Sequence, residues 1–560
     1  MNIPCSVDEM DMHADLHTVL GYHQYSKHRF EAYAPGPTTL DWDDQPAAFR
    51  HFEGAEQTAL PTLDEAMHDP ALNAALHRPF PALAQTLAPL SADAASLSVL
   101  LQLSLGITAW KSYGPDRWAV RANPSSGNLH PVEAYVFLRS IAGFSNGLYH
   151  YCPDSHALER RATFTSTGGS PQILVALSSV MWREAWKYGE RAFRYCQLDT
   201  GHAVGALRYA AALLGWPLAE QRQAASSTLQ HWLGLDRSED FTAGREAYTE
   251  REEAEILLAL TPELAPEAED LTWLQQACKT ANWHGKASAI DRHPMYRWQV
   301  MDEVALATRH AATKNHAQGE PGHPDQASGT GAGTGNDKTA AQIILQRRSA
   351  QRFDARHVMS QADFHALLAA TLPSVHAPWD ALATGPHISL VLFVHRVEGM
   401  QPGLYLLPRT ERLATLLNVS LNPDFLRTPL ENAPPDMGLQ LLTPAPAAEL
   451  QRVARSIHCH QDIAANSCFA LGMLAEFDAA IGAEPASYRD LLREAGLIGQ
   501  VLYLQAEALG LRGTGIGCYF DDPFHNLLGL KNAEFQSLYH FTVGLPLEDS
   551  RIETSSTYEL

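Results

Sequence analysis

Four short stretches hold most of the residues that could do chemistry. PSSGNLHP (124–131) packs two hydroxyls, a glycine and an amide between two prolines, and the apolar run VEAYVFL follows it. Pro124 and Pro131 fix φ and Gly127 opens positive φ, so the stretch reads as a tight polar loop feeding a buried strand. RRSAQRFD (347–354) sets two guanidinium forks beside a hydroxyl; on its own such a run is a solvated face. GTGIGCYFDD (513–522) spaces Gly513, Gly515 and Gly517 alternately, which would let backbone approach a planar group closely, or would simply make a loop. WKYGERAFRYCQLDTGH (186–202) carries Lys187 and Tyr188. A lysine made less basic by burial, or a polarised tyrosine, can move a proton. The bland alternative is a solvated lysine beside a snorkelling tyrosine. His202, on the same stretch, reads as a satisfied core histidine.

Other chemistries are poorly served. There is no HExxH, no Walker loop and no GxGxxG following a strand, which argues against zincins, P-loop NTPases and Rossmann enzymes. His458-Cys459-His460 has the right atoms for a metal, but its two imidazoles diverge and no partner cluster is evident, so no metal site is expected. Seven scattered cysteines without a CxxC fit a reducing cytoplasm. The formal net charge is −22, from 63 acidic and 41 basic residues, so neither nucleic acid nor an anionic membrane is expected as partner. The polar, acidic N-terminus is not a signal peptide, and no apolar run nears the ~18 residues of a bilayer span.

These stretches must be positioned by elements that lie far apart in the chain. The segment 313–339, rich in Gly, Ser, Thr, Pro and Asp, reads as a flexible linker between domains 1–312 and 340–560. The two sides resemble each other. Gly147-Leu148-Tyr149 recurs as Gly403-Leu404-Tyr405, each between strand-like runs. TGHAVGALRYAAALLGW (200–216) matches AGLIGQVLYLQAEALGL (495–511), both amphipathic helices ending at a glycine suited to a C′ cap. LGL at 233–235 recurs at 528–530, and from helix to LGL the offset holds at 295 residues. That regularity predicts a diverged internal duplication of an α+β domain. Residues 240–310 read as mostly helical.

PSSGNLHP before a strand, RRSAQRFD at the start of the second copy, and GTGIGCYFDD resemble the nitroreductase fold that binds FMN. With YHQYSKHRFEAY (22–33), LDWDDQPAAFRHF (40–52) and WKYGERAFRYCQLDTGH, the first copy resembles a branch of it, the SagB-type azoline dehydrogenases of thiazole/oxazole-modified peptide pathways. Such proteins are typically dimers with flavin at the interface. The resemblance therefore implies one FMN pocket split between the copies of an intramolecular pseudo-dimer, because the PSSGN loop survives only in copy 1 and the RRS and GTGIGC elements only in copy 2.

The resemblance also implies roles. Arg347, Arg348, Ser349 and Arg551 would hold the FMN phosphate, with Gln351 or Arg352 touching the cofactor. Pro124 would pack on the ring, while Ser125, Ser126 and Asn128 donate to the ring edge or ribityl chain. Gly515 and Gly517 would admit the ring, and a backbone N–H at Gly517 or Cys518 would face flavin N5. The Cys518 side chain itself reads as a small loop or core residue. Lys187 and Tyr188 would transfer the proton. The implied activity is dehydrogenation of a thiazoline- or oxazoline-containing peptide or similar heterocycle, alongside a peptide-modifying partner enzyme. A nicotinamide-fed nitro or quinone reductase, or a non-catalytic binding subunit, remain the alternatives.

Overall fold

Two 22-residue helices, Ala192–Leu213 and Ser487–Ala508, form the centre of the protein. In the computed structural model, which describes residues 7–165, 169–241, 248–260, 271–313, 338–430 and 433–558, every residue of the first helix is buried. The helices touch backbone to backbone where glycines remove the side chain. A Cβ on Gly201 would lie 2.1 Å from the Arg493 carbonyl oxygen, and one on Gly496 would lie 2.1 Å from that of Leu198. Gly201 and Gly496 are 295 positions apart, the offset that relates the copies. Both helices begin earlier than the sequence pattern suggests, and both stop before a left-handed glycine, Gly215 (φ 71°) and Gly510 (φ 72°).

Each helix lies beside its own antiparallel sheet. The first has the order Asn282–Trp283, Ala157–Thr163, Gly147–Cys152, Val132–Arg139, Gln172–Ser179, Glu253–Leu260, Leu218–Glu220, with Glu56–Ala59 also pairing onto Ala157–Thr163. The second runs Thr428–Pro429, Gln440–Pro444, Gly403–Leu407, Ile388–Val394, Phe469–Glu476, Phe535–Gly544, Arg512–Ile516. Read strand against strand, the order is the same: the fold is α+β, in two like halves. The 240–310 region corrects the helical expectation. Its EAEILLAL is a fully buried strand (Glu253–Leu260) equivalent to Phe535–Gly544. Ala, Glu and Leu favour helices intrinsically, but a place between two sheet neighbours overrides that preference.

The halves exchange segments. Helix Ala340–Gln346, capped by a Thr339–Gln342 box, lies on the first half, with the Ala340 N–H donating to the Arg78 carbonyl at 2.8 Å. Conversely, the helix Val7–Tyr25 packs its last turn on the second half, where His23 meets Tyr488 and Gln536 at 3.2 and 3.1 Å. Strand Glu553–Ser555 joins the hairpin Ile107–Tyr113/Asp116–Arg121 of the first half in a three-stranded sheet. The expected linker lies almost wholly outside the described residues. No helix among the described residues is long and apolar enough to cross a membrane.

Buried charge crosses the same interface in both directions. Arg194 of the first helix reaches Asp521 in the second half at 2.8 Å, and Arg489, 295 positions later, reaches Glu255 and Glu253 in the first half at 2.6 and 3.0 Å. Each long helix thus places an arginine among carboxylates of the opposite half, the pattern expected of a twofold-related pair.

Candidate functional site

A cavity of about 700 Å³ opens where these exchanged pieces meet. Its walls come from both halves: the loop 123–128 with Lys111, Trp118 and Asp199 from the first, and Arg347–Gln351, Arg512, Thr514–Cys518 and 546–550 from the second. Of the residues singled out from sequence, Pro124, Ser125, Ser126, Asn128, Tyr188, Arg347, Arg348, Ser349, Gln351, Gly515, Gly517 and Cys518 all line it.

Local hydrogen bonding explains why the loop and the arginine segment hold their shapes. The His130 N–H donates to Ser125 Oγ at 2.8 Å, and the Asn128 amide donates to the Ala119 carbonyl at 2.9 Å. Ser126 gives both its N–H and its hydroxyl to the Asp199 carboxylate, at 3.1 and 3.0 Å. Across the cavity, the Ala350 N–H donates to the Gly513 carbonyl at 3.1 Å, and Thr514 Oγ1 donates to the Ala350 carbonyl at 2.6 Å. Tyr503 ties these strands together. Its hydroxyl lies 2.9 Å from Ser349 Oγ and accepts the Gly515 N–H at 2.9 Å.

The glycines are also required by packing. A Cβ on Gly515 would sit 1.8 Å from the Tyr539 hydroxyl, and one on Gly517 would sit 2.1 Å from Tyr195 Cε1. Close tyrosines, themselves lining the cavity, already require the missing side chains.

The cationic set also differs. Arg551 does not line the cavity: its side chain is 68% exposed and doubly bonded to Asp549, whose carboxylate takes the fork that was expected to face a phosphate. Arg347 is buried, donates to the Arg121 carbonyl at 2.9 Å and stacks over Tyr503. Lys111 and Arg512 line the cavity beside Arg348, with Arg512 paired to Glu548. Burial brings Arg348 down to about 10, with Arg347 and then Arg512 pushing the same way. Lys111 is lowered by burial and by Arg348. Glu548, which also lines the cavity, pushes both Arg348 and Lys111 the other way.

The proton-handling groups separate. Tyr188 reaches the cavity, its hydroxyl so close over Gly127 that a Cβ there would lie 2.5 Å away. Burial, then Glu184, raises its pKa well above the ordinary value, so it stays a hydrogen-bond donor. Lys187 is not part of the lining; its Nζ lies 5.3 Å from the Trp42 ring centroid and 5.5 Å from that of Tyr188, and burial lowers its pKa.

Asp199, passed over in the sequence, is 1% exposed, and burial lifts it to about 7 against the hydrogen bonds of Ser125 and Ser126. Its only signal was a lone acid in a helix that must be buried. Because this folded pKa lies above the unfolded value of 3.8, the folded chain holds the extra proton between about pH 4 and 7, and stability falls as pH rises through that window. Asp199→Asn should remove the slope and stabilise the protein by up to ~4 kcal/mol at pH 8, read from urea midpoints across pH.

A hydrogen bond from Cys459 lowers the pKa of the Cys518 thiol against the effect of burial, with His28 and Arg191 assisting. His202 is a core histidine, held to about 3 by burial and by Arg347, and bonded to the Tyr539 hydroxyl at 3.1 Å. His458 is likewise buried, with its Nδ1 on the Ala454 carbonyl at 2.6 Å and its Nε2 on His540 at 2.9 Å.

In the region that the pseudo-twofold relates to this cavity, the protein's own groups pair with one another. By the offset between the long helices Arg208 answers Tyr503, and by the offset between the strands that follow Asp380 answers Pro124; Arg208 and Asp380 form a bidentate pair with both N–O distances 2.7 Å. Behind them the Glu220 N–H donates to the Ala381 carbonyl at 3.0 Å, and Glu220 accepts the Ala383 N–H at 2.9 Å.

Comparison with known proteins gives the same architecture. No protein-family model matches the sequence. A crystal structure from Anabaena variabilis, of a protein named as a nitroreductase, superposes with a TM-score of 0.65 over 95% of this chain and 99% of its own, at 19% identity. A protein of Methanocaldococcus jannaschii, also named as a nitroreductase, is 27% identical over 131 residues, covering 21% of this chain and 63% of that protein, less than two thirds of its length. The chain therefore has the nitroreductase fold, as two α+β halves closed on each other in one pseudo-dimer.

Proposed function

We propose that the chain is an FMN-dependent oxidoreductase that dehydrogenates a thiazoline- or oxazoline-containing peptide or a similar small heterocycle. The reading rests on one observation above all: Arg348, Arg512 and Lys111 converge on the cavity that also takes in the PSSGN loop and the glycine strand, within an otherwise acidic chain. The residues fit the cofactor. Three cations suit a phosphate dianion, the cavity volume lies within the range of about 300–1,000 Å³ usual for such ligands, and two rows of polar backbone flank a slot walled by tyrosines.

Arg348, Arg512 and Lys111 would hold the phosphate, and the 124–128 loop and the Gly515–Cys518 backbone would flank the ring. Bound there, FMN would supply a two-electron acceptor. Asp199, ionised above about pH 7, takes the proton lost from the substrate carbon, while the Tyr188 hydroxyl donates a hydrogen bond to the reacting edge. Lys187 acts through Tyr188, over whose ring it lies. The azoline substrate class rests on the sequence resemblance, as does a peptide-modifying partner enzyme that delivers it.

Anaerobic mixing tests the direction of electron flow. An azoline peptide should bleach the flavin absorbance and NADH or NADPH should leave it unchanged; bleaching by the nicotinamide alone would make the protein a reductase. A colourless protein that takes up no FMN would make it a binding subunit.

A further inference from the structure

We infer that the first half carries a zinc site of four protein ligands, His51, His150, Cys152 and Glu159, remote from the cavity. None of the four lines the cavity, and none has a part in the proposed reaction. The sheet brings them together. His150 and Cys152 sit two apart on strand Gly147–Cys152, hence on one face, and Glu159 is the register partner of His150 on the neighbouring strand. His51 arrives from the segment that crosses this edge, where the Phe52 N–H donates to Glu159 at 2.8 Å.

Three of the separations match those between ligands of one zinc ion. Zinc bonds of 2.0–2.3 Å imply about 3.3 Å between nitrogen and oxygen ligands and about 3.6 Å between nitrogen and sulfur. Glu159 Oε1 lies 3.2 Å from His51 Nδ1, and its Oε2 lies 3.3 Å from His150 Nδ1. Cys152 Sγ is 3.6 Å from His150 Nδ1. The ligand atoms of His51, Cys152 and Glu159 all fall within 4.8 Å of one another.

The surrounding shell has the same logic. Each imidazole that turns Nδ1 inward turns Nε2 to a carboxylate: His150 to Glu133 at 2.9 Å, and His51 to Asp154 at 3.1 Å. Such carboxylate–histidine pairs fix the tautomer that frees the inner nitrogen for a metal. Glu133 is in turn held by Arg183 at 2.6 Å. One thiolate, one carboxylate and two neutral imidazoles would neutralise a divalent ion, which suits a site where His150 and Cys152 are fully buried. With four protein ligands the site is structural: it pins the 40–60 segment onto the first sheet.

The test uses the full chain, stripped with a chelator and titrated with Zn2+ and, in a separate sample, with Co2+. Expected are about one tightly held metal per chain by elemental analysis and, with Co2+, visible d–d bands of a tetrahedral site with a near-ultraviolet thiolate band. In Cys152→Ser the thiolate band should vanish, and in Glu159→Gln metal affinity should fall at least tenfold while circular dichroism stays unchanged. No stoichiometric metal in the wild-type chain, or a thiolate band that survives in Cys152→Ser, would overturn the inference. Neither readout depends on flavin, so failure here leaves the proposed reaction standing, and the reverse.

Discussion

Asp521→Ala should destabilise the protein by about 3–5 kcal/mol, because it leaves two guanidiniums buried without their counter-charge. Asp521 is fully buried and accepts from Arg191 at 3.1 Å, from Arg194 at 2.8 Å and from the His28 N–H at 3.0 Å. Burial alone would raise its pKa, but Arg191 and Arg194 win and hold it well below the carboxylate range. Its stabilisation is therefore present above about pH 4 and is lost as pH falls into strong acid. The effect reaches the cavity through Arg191, whose Nε and Nη2 donate to the Gly517 carbonyl at 3.2 and 3.0 Å. Three separate chain segments meet at this one carboxylate. Denaturant midpoints of the variant should drop accordingly, and any bound flavin should be lost more readily. A change below ~1 kcal/mol would mean that water or rearrangement compensates the arginines.

The second large effect concerns the cations. Arg348→Ala and Arg512→Ala should each weaken FMN binding by roughly 10- to 100-fold, the loss of a hydrogen bond to a charged group worth ~1.5–3 kcal/mol. Arg348 is preset for the task. Its guanidinium is held by the Thr108 hydroxyl at 3.0 Å and by the carbonyls of Leu345 and Arg347 at 2.8 and 2.6 Å, so little freedom is left to lose on binding. Arg551→Ala is the control. Exposed and satisfied by Asp549, it should leave FMN affinity unchanged, as measured by flavin fluorescence on titration. If Arg551→Ala released the cofactor and Arg348→Ala did not, the phosphate would lie elsewhere.

What the chain made legible was set by local pattern. The paired helices declared themselves through apolar periodicity and terminal glycines, and the PSSGN loop through prolines that constrain φ wherever they stand. The grouping of loop, arginines and glycine strand could be drawn because each element survives in a single copy. Less legible was anything decided by how side chains pack and pair. Arg551 looked like a phosphate ligand until Asp549, two residues away, folded back onto it. Gly515 and Gly517 signalled a close approach, but only packing shows Tyr539 and Tyr195 as what approaches. Asp199 carries no motif, and its pKa comes from burial that no local spacing encodes. The strand Glu253–Leu260 has the composition of a helix and is made a strand by the sheet on either side.

The central claim is that two halves share a single cofactor cavity, while at its pseudosymmetric counterpart Arg208 and Asp380 pair with each other. Flavin stoichiometry tests it most directly. Full-length protein saturated with FMN, desalted and then denatured should release about one FMN per chain. Two FMN per wild-type chain would contradict the single shared cavity, and none would contradict the cavity as a flavin site.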